Sequence, residues 1–185
     1  FTIEEDFTSE KLDYRWIGLR GPREAFINIT KKGLVIEPFE TNIKEVKPTS
    51  TLFHRQQHSN FTFETIMEYK PGSEKDLAGI VCLQNEGSNY VFGVTKKGKD
   101  YYLLLEKNKW PNRTGDIISE VLASTKIDMS NPIHLKVKAK GDDYEFMYST
   151  NGTDFSNLGG MVSGDILSTN VAGGFTGALI GLYAT

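Results

Sequence analysis

The segment IHLKVKAKG at residues 133–141 alternates without a break. Ile133, Leu135, Val137 and Ala139 fall on one side, and His134, Lys136, Lys138 and Lys140 on the other. Only a β-strand with one dry face and one wet face uses that period. The same period recurs along the chain. Phe61, Phe63, Thr65, Met67 and Tyr69 share a face in NFTFETIMEY, and Tyr144, Phe146 and Tyr148 share one in YEFMYS. Turn signals separate the strands: Lys-Lys-Gly after FINIT, Gly98 within NYVFGVTKKGKDYYLLLEKN, KGDD at 140–143, and Asn151-Gly152. AGIVCL and YYLLL are apolar on both faces, which suits strands covered on both sides. TGDIISEVLAST is the best helix candidate, yet its β-branched residues suit a strand better. Strands of this length, punctuated every 8 to 12 residues, predict an all-β sandwich or barrel with little or no helix.

A chain of 185 residues suits a single domain with one sizeable core. No repeat or linker divides it. The final GGFTGALIGLYAT reads as a Gly-rich strand up to its last residue, which leaves room for a further strand beyond it. The opening FTIEEDFTSE is acidic and polar, unlike a secretory leader, and reads as a trimmed end. Twenty-one basic against 24 acidic residues give a net charge of -3, with no electrostatic case for nucleic acid or an anionic membrane. No stretch approaches the length of a membrane-spanning helix. The lone Cys82 has no internal disulfide partner and reads as a small buried hydrophobe. Sequons at Asn28, Asn60, Asn112 and Asn151 matter only on a eukaryotic secretory route.

Few arrangements carry chemistry. His54, His58 and His134 lack zinc spacing, and a four-residue offset on a strand separates His54 from His58 by about 13 Å. Nucleophile-elbow, phosphate-loop and dinucleotide motifs are absent. Glycoside hydrolysis needs two carboxyl groups across a cleft. Glu64 and Glu68 share a strand face but read as ordinary solvent-facing residues. No coherent catalytic constellation is visible.

What stands out is a polar run, Arg55, Gln56, Gln57 and His58, directly after the apolar Leu52 and Phe53. These side chains suit sugar hydroxyls. Tyr90, Tyr101 and Trp110 could supply flat apolar faces for pyranose rings. The other reading is that the run ties down a loop or a partner domain.

Taken in order, EEDFTSEKLDYRWIGLRGP, GLVIEP, LFHRQQHSNFTFETIMEYKP, LAGIVCLQNEGSNYVFG and FTGALIGLYAT resemble one family. It is the C-terminal concanavalin A-like domain of family 43 glycoside hydrolases, the β-xylosidase and arabinofuranosidase group. The blocks run from about residue 4 to the end. The resemblance implies a jelly-roll sandwich of two antiparallel sheets over residues 1–185, beside a catalytic five-bladed propeller absent from this chain. It implies a non-catalytic accessory domain in plant-polysaccharide degradation, in a bacterial periplasmic, surface or secreted setting. In the β-xylosidases, a sandwich loop carrying an aromatic helps to close the active site. An aromatic often follows the Arg55–His58 block, and Ser59 stands there here. By the same resemblance Arg20 would lie near the polar run, at the propeller or a sugar. Sandwiches of this class often hold a structural Ca2+ near the chain ends, where Glu5 and Asp6 are placed. A carbohydrate-binding module gripping xylan- or arabinan-type oligosaccharide on its concave face is the alternative, and a domain for oligomer contacts the third reading.

Overall fold

A computed structural model describes residues 2–9, 11–174 and 176–185. Among them run β1 (Ile17–Gly18), β2 (Ile27–Thr30), β3 (Gly33–Ile36), β4 (Ser50–Arg55), β5 (Asn60–Met67), β6 (Leu77–Asn85) and β7 (Ser88–Lys97). They continue as β8 (Asp100–Lys109), β9 (Ile118–Ile127), β10 (Ile133–Lys140), β11 (Asp143–Ser149), β12 (Ser156–Ser163) and β13 (Leu179–Ala184). Among the described residues, helix is confined to α1 (Thr169–Ala172) and two short 3-10 turns. Seven strands form one antiparallel sheet in the order β1-β4-β13-β6-β7-β8-β9, and four form a second, β12-β11-β10-β5. The hairpin β2-β3 stands apart. The architecture is the expected concanavalin A-like β-sandwich.

The faces follow the period-2 pattern. Val137 of β10 lies opposite Phe63 on one side and Phe146 on the other. This layer meets Ile80, Cys82, Tyr90, Phe92, Leu103 and Leu105 of the larger sheet in one buried core. The β7–β8 connection is the two-residue loop Gly98-Lys99, with Gly98 at φ +60°. A glycine in that first position fits a type II′ turn, whose twist matches the strands. Asn151-Gly152, by contrast, sits inside a longer connection, because β11 ends at Ser149 and β12 starts at Ser156. There Asn151 Oδ1 accepts from the Thr153 and Asp154 amides, so the side chain itself shapes the loop.

AGIVCL is covered on both sides, for two separate reasons. Ile80 and Cys82 face the sandwich core. Val81 and Leu83 face outward into a second cluster with Phe53, Val91, Tyr183 and Ile43. Ile43 comes from the 37–49 connection, which folds back over the large sheet. Its amide donates to the Tyr183 hydroxyl at 3.0 Å. Burying such a side chain is worth about 1.5–3 kcal/mol. The Gly-rich C-terminal segment is shorter as a strand than its composition suggests. β13 starts only at Leu179 and lies between β4 and β6, and Thr185 exchanges backbone hydrogen bonds with Leu77.

Candidate functional site

The polar run is not strand interior. β4 stops at Arg55 and β5 starts at Asn60, so residues 56–59 carry the chain from one sheet to the other. Backbone groups at such a crossing lose their ladder partners and must find others. The Gln56 amide donates to Ala178 O at 2.9 Å. The Gln56 side-chain oxygen accepts from the Tyr144 hydroxyl at 2.9 Å, and its Nε2 donates to His58 O at 3.2 Å. Arg55 Nη1 donates to Thr176 O at 3.0 Å, and the Gly141 amide to Ser59 O at 3.0 Å. The loop is therefore pinned to β11, to the β10–β11 turn and to the segment before β13. Gln57, His58 and Ser59 stand exposed on this anchored base.

The other expected residues scatter. Arg20 does not join the polar run. It forms an ion pair with Glu86 in the β6–β7 turn and donates from Nη1 to Glu45 O at 3.3 Å. Glu86 is buried, and this partner lies 66 positions away in a turn that sequence periodicity does not connect to Arg20. Tyr90 corrects the expectation of a sugar platform. It is only 1% exposed, its ring lies against Phe146 between the sheets, and its hydroxyl donates to Ser163 O at 2.8 Å. Burial pushes its phenol up to about 12. The reason lies in β7, which is apolar on both faces, so the inward parity of Tyr90 is hidden in the sequence. Trp110 is half-buried at the end of β8, where its amide donates to Gly87 O at 2.8 Å.

Glu5 and Asp6 use their carboxylates in local turns. Glu5 Oε1 accepts from the Phe7 amide, and Asp6 Oδ1 from the amide and hydroxyl of Thr8. The Thr8 bonds hold the Asp6 carboxyl below its ordinary range. Among the described residues, no group of three or more His, Cys, Asp or Glu side chains is placed to hold a metal ion. Glu64, on the outer face of the small sheet, pairs with Lys136 at 3.2 Å.

Beside the polar loop, contacts unforeseen from the sequence draw the 170–174 segment onto the large sheet. Asn85 Nδ2 donates to Ala172 O at 3.2 Å, Gln84 Nε2 to Gly173 O at 3.4 Å, and Arg113 to the carbonyls of Asn170 and Val171. Nothing in the spacing of these residues signals the cluster, because they meet only through the closing loops.

The family model described as the beta xylosidase C-terminal concanavalin A-like domain matches residues 4–185. The chain is 24% identical over 185 residues to the non-reducing end α-L-arabinofuranosidase of Bacteroides ovatus, a similarity covering 99% of this chain and 34% of that protein. It is 22% identical over 179 residues to a xylan 1,3-β-xylosidase of a Vibrio species, covering 94% of this chain and 31% of that protein. Among solved structures, a GH43_12 protein retrieved from capybara gut metagenome superposes with a TM-score of 0.91 at 46% identity, over 97% of this chain and 34% of the other. The xylan β-1,4-xylosidase of Bacillus halodurans C-125 superposes with a TM-score of 0.87 at 20% identity, over 100% of this chain and 36% of the other, and shares the fold. The chain thus spans about a third of the length of the curated relatives it matches. With its two-sheet sandwich and a match over residues 4–185, the chain belongs to the family of β-xylosidase C-terminal concanavalin A-like domains.

Proposed function

We propose that this chain is a non-catalytic supporting domain of a longer family 43-type glycoside hydrolase acting on xylan- or arabinan-type polysaccharide outside the cytoplasm, and that residues 56–59 face the catalytic domain. The observation that carries this reading is one of extent. The relatives named for xylosidase or arabinofuranosidase activity are about three times as long, and this chain matches one third of each.

The geometry of the loop supports the assignment of the face. A contact surface gains affinity when its groups are held in place beforehand. Here Gln56 is fixed from three directions, while Gln57 and His58 present their side chains outward. The outer face of the large sheet is already covered by the chain's own 37–49 connection.

The test is complementation in trans. The catalytic part of the capybara-gut relative, 46% identical over this region, is produced without its C-terminal third and mixed with this chain. The expected result is a complex in the micromolar range or tighter and a rise in xylosidase or arabinofuranosidase activity. Gln57→Ala with His58→Ala weakens the complex about tenfold, or 1.4 kcal/mol, at unchanged melting temperature. No complex and no change in activity overturns the proposal.

A further inference from the structure

We propose that the groove beside Trp110 binds a saccharide bearing a carboxylate, a site separate from the docking loop, with the choice of a xylan-type backbone resting on the reading above. The groove has a volume of about 320 Å3 and is lined by Ser88, Lys109, Trp110, Asn112, Arg113 and Val171. It lies where the ends of β7 and β8 meet α1.

The indole is held in one place. The Trp110 amide donates to Gly87 O, and the ring packs so tightly on Gly87 that a β-carbon there would lie 2.1 Å from Cδ2. An aromatic ring held rigidly and left half open offers an apolar surface to the C–H face of a pyranose.

The polar lining is one-sided. Arg113 sits at φ +62°, a left-handed conformation costly for a non-glycine residue, and its Nε donates to Val171 O at 2.9 Å. Its Nη2 donates to Asn170 O as well, so the guanidinium is oriented with its Nε–Nη2 edge on backbone carbonyls, and no carboxylate pairs with its charge among the described residues. Lys109 likewise has no ion-pair partner among them. Glu86, the acid nearest in sequence to Ser88, is committed to Arg20, and neither Asp116 nor Glu120 lines the groove. Ser88 is only 3% exposed.

Two cations, a hydroxyl and the Asn112 amide make a lining rich in donors. That favours an acceptor-rich anionic ligand, and a carboxylate can take charge-assisted hydrogen bonds from Lys109 and from the remaining Arg113 Nη1. A bare inorganic anion would leave the indole unused, and a neutral sugar would leave both cations unmatched. A pyranose carrying a carboxylate, a uronic acid, uses all of them.

The test is a titration of the chain followed by tryptophan fluorescence and by calorimetry. The probes are a glucuronic acid-substituted xylo-oligosaccharide and the same oligosaccharide without the acid. The expected result is saturable binding at least about tenfold tighter for the acidic probe and weakened by added salt. Trp110→Ala abolishes it. Lys109→Gln, a change at an exposed side chain that leaves the melting temperature unaltered, reduces it about tenfold. No saturable binding of the acidic probe up to about 10 mM, equal binding of both probes, or binding that survives both substitutions overturns the proposal.

Discussion

The Tyr144 hydroxyl donates to the Gln56 side-chain oxygen across 2.9 Å, joining the small sheet to the loop that leaves the large one. Tyr144→Phe keeps the ring in its core position and removes only this bond. The expected cost is about 0.5–1.5 kcal/mol in chemical denaturation. Hydrogen exchange at the Gln56 amide rises by more than in the strands. Unchanged exchange there would show that Ala178 O alone holds the loop.

Arg20 and Glu86 form a second long-range tie, with the carboxylate buried. Removing one partner leaves the other charge without compensation. Arg20→Ala is expected to cost on the order of 1–3 kcal/mol, discounted because the Arg20 side chain remains partly open to water. Adding Glu86→Gln recovers part of the loss. A double variant no more stable than the single one would contradict this account.

Gly87→Ala places a methyl group inside the Trp110 ring. Overpacking of this kind costs about 1–3 kcal/mol. Trp16 is almost fully buried elsewhere, so a red-shifted emission on substitution reports the displacement of Trp110. An unshifted spectrum at full stability would mean that the ring and Gly87 are looser than their packing implies.

His54 packs edge-on against Trp16, with ring centroids 4.1 Å apart. Burial, aided by the Arg15 charge, lowers its pKa, while Asp13 and Glu5 pull the other way. The unfolded chain then binds more protons than the folded one just below pH 6.5, so unfolding gains on acidification. Stability is complete above about pH 6.5 and falls as the pH drops from there to the lowered folded value. Asp13, held at about 2 by Arg15, keeps its charge through this window. His54→Gln flattens the slope of denaturation midpoint against pH between 5 and 7, and an unchanged slope would assign it to other groups.

Cys82 lies wholly within the core, and burial pushes its thiol up. The thiolate is the reactive form, so the native protein is expected to resist iodoacetamide at pH 8 and to label fully in denaturant. Labelling under native conditions at the intrinsic thiol rate would show that β6 opens readily.

Much of the sandwich is legible wherever the two faces of a strand differ in polarity. The inward set Ile133, Leu135, Val137 and Ala139 is buried as its alternation predicts. The reading loses grip where that contrast disappears. In β7 both faces are apolar, so the inward Tyr90 cannot be told from an outward aromatic. In the 52–60 stretch, the polar run marks a change of sheet and reads instead as a decorated strand. The 56–59 loop is visible as composition, but its anchors Tyr144, Thr176 and Ala178 come from distant segments. The Arg20–Glu86 pair and the Trp110 groove are products of loop closure, and local pattern carries no trace of them.

The central place of β13 sets the order in which this sheet is able to form. β6 through β9 zip by successive hairpins, and β1 pairs with β4, but no hydrogen bond of the sheet links these two pieces until β13 settles between them. Completion therefore rests on β13 and on the long-range pairings it makes, a topology associated with folding in milliseconds to seconds. Without β13, β4 and β6 would each carry an unpaired edge, the kind of edge open to wrong pairing with a neighbour.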